Sequence, residues 1–302
     1  MPSHPALLRL TAGQAELILA PEIGGSIAAY REHRDNKIIN WMRPVSDAAI
    51  AAGSVSEMAS FPLVPWSGRL RNGTFMFNGQ QITVPSANPN TPNTIHGLAR
   101  YQPWQVVHSD SGSACLRYEH QAGDWPFSFV AEQDFTLSER SLSLTLRVHN
   151  TSNKAMPLGI GHHPYFPRNE HTTLSTGVGQ AWFSDKDVMP LHIADHPIAR
   201  QLPQGACIDD YVMDNTFLNW SHHATITWPD QARSLTMHGT TPLDFLVLYS
   251  PAKVDWFCVE PVSNTTDSFN LIHQFSRQEV GGDILGPGEK REARIILETA
   301  FY

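Results

Sequence analysis

Residues Ser141 to Asn150 read SLSLTLRVHN, with Leu142, Leu144, Leu146 and Val148 on one side of an extended chain and Ser143, Thr145 and Arg147 on the other. A period of two over ten residues is the pattern of a half-buried β-strand. Shorter runs of the same kind, rich in β-branched and aromatic residues, lie at Ala15–Leu19, Phe127–Leu137, Ala224–Trp228, Phe245–Tyr249, Trp256–Val259 and Arg294–Phe301. Turn signals separate them, among them Asn72-Gly73, Asn78-Gly79 and Gly286-Pro287-Gly288, and 22 Pro and 20 Gly are spread along all 302 residues. The pattern predicts an all-β chain built as one large antiparallel β-sandwich over residues 1–302, with at most one or two short helices. The Ala-rich, Pro-free stretch Ser46 to Ser60 is where a helix is expected, weakened by Gly53. No repeat, low-complexity tract or linker divides the chain.

Composition narrows the function. With 21 basic and 29 acidic side chains the formal net charge is −8, which excludes a generally basic, nucleic-acid-binding surface. Hydrophobic residues make up 41% and charged residues 17%, the balance of a chain that buries a core. The first ten residues lack a basic start and a sustained apolar stretch, and no apolar run approaches a membrane span, so a cytoplasmic protein without membrane contact is expected. Cys115, Cys207 and Cys258 are too few and too scattered for a disulfide framework. Four Asn-x-Ser/Thr sequons, at Asn72, Asn150, Asn219 and Asn264, carry little weight in such a chain. Neither a GxxxxGK phosphate loop nor a GxGxxG dinucleotide fingerprint is present.

Several segments hold residues suited to chemistry. His192 and His196 have i,i+4 spacing, but Pro190 and Pro197 bracket them and no zincin pattern accompanies them, so loop histidines are expected there, not a metal site. In Gly159-Ile160-Gly161-His162-His163-Pro164-Tyr165-Phe166, Pro164 pushes His163 towards an extended conformation, so that His162 and His163 face opposite ways. One imidazole is then free to enter a concave site while the other packs behind it. Glu260 follows the apolar run Trp256-Phe257-Cys258-Val259 and shares a face with Trp256 and Cys258. Desolvation there raises a carboxyl pKa towards the range of a neutral-pH general base; a strand-end glutamate in water is the other reading. Arg69 and Arg71 share a face if their segment is extended. His96 sits in the tight Asn93-Thr94-Ile95-His96-Gly97 segment, and Asp214-Asn215 is either an Asx turn or an acceptor for hydroxyl groups.

In order along the chain, these segments resemble the aldose 1-epimerase (galactose mutarotase) family. The correspondence runs through Gly68-Arg69 with Asn72-Gly73, Asn93 to Gly97, His163-Pro164-Tyr165-Phe166, Asp214-Asn215, Glu260-Pro261 and the Pro287-Gly288-Glu289 turn, from about Glu16 to Leu297. The resemblance implies that family's large sandwich, with the site an open cleft on one sheet. It implies His163 as the acid and Glu260 as the base of anomer interconversion, and Arg69, His96 and Asp214 as substrate-binding residues. It further implies a monosaccharide partner, no cofactor and no metal, in a monomer or homodimer. Gly68 stands where the family usually has Asn, Pro164 where Ser is frequent, and Asn215 where many members have His. The His96-Gly97-Leu98-Ala99-Arg100 stretch with Trp104 looks more like the hexose-6-phosphate mutarotase branch, where Arg100 would pair with phosphate. A sugar-binding sandwich without catalysis and a glycoside hydrolase are the other classes; the latter ordinarily wants a second catalytic carboxylate, for which Asp214 is the candidate.

Overall fold

The computed structural model describes residues 5–302. Alternation in Ser141–Asn150 is carried directly into space: every second residue is buried. This strand pairs antiparallel with Phe129–Leu137 on one side and Lys290–Phe301 on the other. They are central in a nine-stranded sheet that continues outward to Gln105–Ser109 at one edge and to Ala206–Cys207 at the other. An eight-stranded sheet has Trp256–Val262 in its middle, between Phe245–Ser250 and the short segments Gly161–His162 and Tyr165–Pro167. A third sheet of four strands spans Leu8–Ala12 to Lys37–Asn40. Leu142, Leu144, Leu146 and Val148 of the first sheet, Leu246, Leu248, Phe257 and Val259 of the second, and Leu10, Leu17 and Leu19 of the third belong to one buried cluster. The all-β sandwich expected from the pattern is therefore present, and all the strand runs read from sequence are strands.

Local readings differ in instructive ways. Three short α-helices occur, Asp47–Ala51, Ser268–Leu271 and Arg277–Val280, one more than the expected maximum. Ser46 caps the first through its side chain, and the helix stops before Gly53, whose φ of +61° leaves the helical region. The other two, of four residues each, are too short to give an amphipathic period. Asn78-Gly79 does join two paired strands, Thr74–Phe77 and Gln80–Thr83, but Asn72-Gly73 does not. There the chain makes a 3-10 turn over Arg71–Gly73, and Arg69–Leu70 pairs with Thr94–Ile95 instead. No helix is long and apolar enough to cross a membrane among the described residues.

A polar strut passes through the sandwich core. Gln133, on the nine-stranded sheet, donates its amide to the Gly25 carbonyl at 2.9 Å, which fixes its carbonyl oxygen as the acceptor for His162 Nε2 at 2.9 Å. His162 Nδ1 then accepts from the Ser60 hydroxyl. All three side chains are buried, and burial holds the imidazole neutral, with its pKa lowered to about 3. Replacing His162 by Leu orphans both partners, at about 1–3 kcal/mol each. Because the folded pKa lies below the ordinary 6.5, the unfolded chain binds the extra proton and wild-type stability falls as pH drops from 6.5 towards 3. Urea unfolding of His162→Leu should give lower stability at pH 7 and a pH slope shallower by about one proton across that window; an unchanged midpoint and slope would contradict this role for the strut.

Candidate active site

The centre of the eight-stranded sheet positions the chemistry. In Trp256–Val262, Phe257 and Val259 enter the sandwich core, so Cys258 and Glu260 point to the sheet's other face. The strand does not end at Glu260, as the sequence reading had it, but continues through Pro261 to Val262, with Glu260 opposite Val247. His163 lies between two short strands that both pair with Trp256–Val262. Its N–H donates to the Phe61 carbonyl at 3.0 Å, and its ring stacks on Tyr165 and packs against Phe61, each centroid 4.7 Å away. The expectation that adjacent histidines face opposite ways holds: His162 joins the core strut while His163 turns to the hollow.

His163 Nε2 and Glu260 Oε1 meet at 3.3 Å, with side chains only 7% and 3% exposed. Burial pushes the Glu260 carboxyl well above its ordinary range, aided by Asp214 and opposed by Arg100 and Arg69. Burial likewise pushes His163 well below its ordinary value, and Arg100 adds to that. The two directions are complementary, so the pair keeps one proton between them over a wide pH range. It is at once an acid and a base. A hollow of about 250 Å³ opens onto the pair.

All five residues carried from the sequence line this hollow: Arg69, His96, His163, Asp214 and Glu260. His96 accepts the Gly68 N–H on Nδ1 at 3.2 Å, so its Nε2 carries the ring proton and is a fixed donor. Its backbone is left-handed, φ +61°, a conformation costly for a non-glycine residue. Gly97 follows, also at positive φ, and a side chain there would overlap the Val64 carbonyl. Gly68, likewise at positive φ, packs so closely on Thr266 that a Cβ would collide with its hydroxyl, and the Asn usual in the family does not fit that spot unless Thr266 moves. Asp214 is in the strand Met213–Phe217, not in an Asx turn, and its carboxyl is raised by burial while Arg69 opposes the shift. Asn215 instead donates to the Trp182 carbonyl at 2.9 Å.

Arg71 is not in the hollow. The 3-10 turn diverts it to Asp267, at 3.4 Å, so the shared face expected for Arg69 and Arg71 is absent. Arg100 does line the hollow, buried, with its guanidinium 4.1 Å from the centre of the Phe61 ring. Tyr165 lines the hollow, whereas Trp66 and Phe217 are core. Trp182 and Tyr249 also line it. Alternation along Phe245–Ser250 could have found Tyr249, because Val247 faces the same way and pairs with Glu260; Trp182 gave no signal.

Four buried polar atoms of lining residues have no hydrogen-bond partner: Arg100 Nε, His163 Nδ1, Glu260 Oε2 and Thr265 Oγ1. Unpaired groups of this kind are costly, and a polyhydroxylated ligand is suited to satisfy them. Elsewhere, His192 and His196 stack on Phe183 and belong to no cluster of metal-ligating side chains among the described residues. A larger hollow of about 800 Å³ holds the contact His222–Asp244, but those side chains are 33% and 52% exposed, unlike the buried His163 and Glu260.

The uncharacterized protein YphB of Escherichia coli K12 is 28% identical over 260 residues, covering 83% of this chain and 87% of that one. A crystal structure of a candidate aldose 1-epimerase from Escherichia coli K12 superposes with a TM-score of 0.87 at 23% identity, over 98% of this chain and 99% of the other. A galactose mutarotase-like protein from Clostridium acetobutylicum gives 0.87 at 18% identity, over 98% and 95%. These two share the fold. The family model described as aldose 1-epimerase matches residues 6–298, nearly the whole described chain, and the protein therefore belongs to the aldose 1-epimerase family.

Proposed function

We propose that the protein interconverts the α and β anomers of an aldohexose, with His163 as acid and Glu260 as base. The observation that carries this reading is the convergence of the two groups, 3.3 Å apart, at the floor of one hollow. At about 250 Å³ the hollow falls below the roughly 300–1,000 Å³ of drug-sized sites and suits a single sugar ring. Mutarotation removes a proton from the anomeric hydroxyl and delivers one to the ring oxygen; the ring opens, C1–C2 rotates, and the ring recloses on the other face. Once the shared proton passes from Glu260 to His163 across their contact, the imidazolium delivers a proton, the carboxylate takes one, and reclosure regenerates the pair. His96 Nε2–H and Arg69 offer donors and Asp214 an acceptor, which orient the hydroxyl groups. This chemistry calls on no cofactor.

Arg100 supports a narrower reading for the substrate. It is 94% buried, its Nε has no partner, and no carboxylate lies within ion-pair distance of it among the described residues. A buried cation left open to a sugar hollow suits a substrate that brings its own anion, such as a hexose 6-phosphate.

Polarimetry on freshly dissolved α-glucose and α-galactose, corrected for spontaneous mutarotation, tests the reaction. Glu260→Gln and His163→Asn should each lose about 10²- to 10⁴-fold in rate while keeping their unfolding transitions; equal rates in wild type and Glu260→Gln would overturn the assignment. For wild type, kcat/KM should be bell-shaped in pH. The acid limb reports the pair gaining a second proton and lies below the ordinary imidazole value of 6.5; the alkaline limb reports loss of the last proton and lies above the ordinary carboxyl value of 4.5. An acid limb above 6.5 or an alkaline limb below 4.5 would contradict a pair that shares one proton. Arg100→Met should depress turnover of glucose 6-phosphate at least tenfold more than that of glucose, and equal losses would set aside the phosphorylated substrate.

A further inference from the structure

Buried beside the His163–Glu260 pair, behind the lining of the hollow, is one nucleophilic group that proton transfer to a sugar does not use. Cys258 is two residues before Glu260 on the same face of Trp256–Val262 and is fully buried. It is unpaired with any other cysteine. An imidazole nitrogen of His163, the Cys258 sulfur and a Glu260 carboxylate oxygen all lie within 4.8 Å of one another, and no other such trio of His, Cys, Asp or Glu occurs among the described residues. Around a tetrahedral ion with bonds of about 2.0–2.3 Å, neighbouring donors sit roughly 3.3–3.8 Å apart. Closing the set therefore asks for about 1 Å of movement, within reach of side-chain rotation at Glu260 and His163.

Charge and ligand softness restrict the ion. A thiolate and a carboxylate together neutralise a divalent cation, so the assembled site places no net charge in a buried position. Sulfur and imidazole donors favour zinc-like ions over magnesium or calcium. His163 Nδ1 and Glu260 Oε2 have no protein partner to give up.

We propose that His163, Cys258 and Glu260 form a binding site for a thiophilic divalent cation, Zn²⁺ or Cd²⁺, and that the bound ion shuts out the sugar. The ion takes the lone pairs through which imidazole and carboxylate would exchange protons, and it displaces the thiol proton and the proton the pair shares. The cation site stands on the geometry alone; its competition with sugar rests on the function proposed above. Cys115 and Cys207 lie outside the trio.

Titration of the whole protein with Cd²⁺, followed by the ultraviolet thiolate-to-cadmium charge-transfer band, tests this. The expected result is a band saturating at one equivalent, retained in Cys115→Ser and Cys207→Ser and lost in Cys258→Ser. Glu260→Gln, which keeps the thiol, should weaken Cd²⁺ at least tenfold and covers the case in which Cys258→Ser does not fold. Absence of the band in wild type, its persistence in Cys258→Ser, or undiminished affinity in Glu260→Gln would overturn the site. Saturating glucose or glucose 6-phosphate should raise the apparent Cd²⁺ dissociation constant at least tenfold. A band that forms but ignores both sugars leaves the cation site and removes its competition with substrate. No band, with anomers still interconverted, removes the site and leaves the function.

Discussion

A carboxyl group and an imidazole taken out of water together cannot hold their charges independently. At His163 and Glu260, burial drives both towards the uncharged form, and their 3.3 Å contact makes the choice a matter of where one proton sits. The rest of the structure serves that contact. Trp256–Val262 is buried on both faces, so its alternate residues divide between core and site, and Phe257 and Val259 hold the strand while Glu260 is presented. Tyr165 stacks on the imidazole and Phe61 packs against it at a second side, each centroid 4.7 Å away.

Rigidity comes from behind the site. The Gln133–His162–Ser60 strut ties the nine-stranded sheet to the segment carrying His163, and Ser60 in turn bridges to Ile27 of the four-stranded sheet. Asn264 adds a second anchor, accepting the Ser67 N–H and donating to the Ser67 carbonyl, at 3.1 and 3.0 Å. These buried hydrogen bonds, all well satisfied, contrast with the unpaired atoms facing the hollow. Satisfied hydrogen bonds hold these two anchors fixed, while Arg100, His163, Glu260 and Thr265 each turn an unpaired polar atom to the neighbourhood of the hollow.

Strand period and turn chemistry made the sandwich legible in the sequence, because Leu142 to Val148 and its counterparts obey a local rule that tertiary packing reinforces. The opposite orientation of His162 and His163 was legible for the same reason, through Pro164. Positions set by long-range register were not. Arg71 leaves the face of Arg69 because Asn72 takes φ +53° and the chain turns earlier than a hairpin would. From sequence Asp214 is either an Asx-turn residue or an acceptor for hydroxyl groups, and pairing opposite Tyr249 makes it a strand residue. Trp182 enters through a strand whose neighbour is fixed only by folding. The burial of Arg100, and with it the absence of a charge partner, is invisible until the Phe61 ring packs against it.

The central claim, that His163 meets the sugar while its neighbour does not, is open to direct measurement by nitrogen-detected imidazole NMR. Titrating in 1-deoxyglucose, which lacks the hydroxyl that reacts, should move the His163 ring resonances and leave those of His162 in place, since the latter is locked in the core strut. Movement of neither, or of His162 alone, would contradict the account.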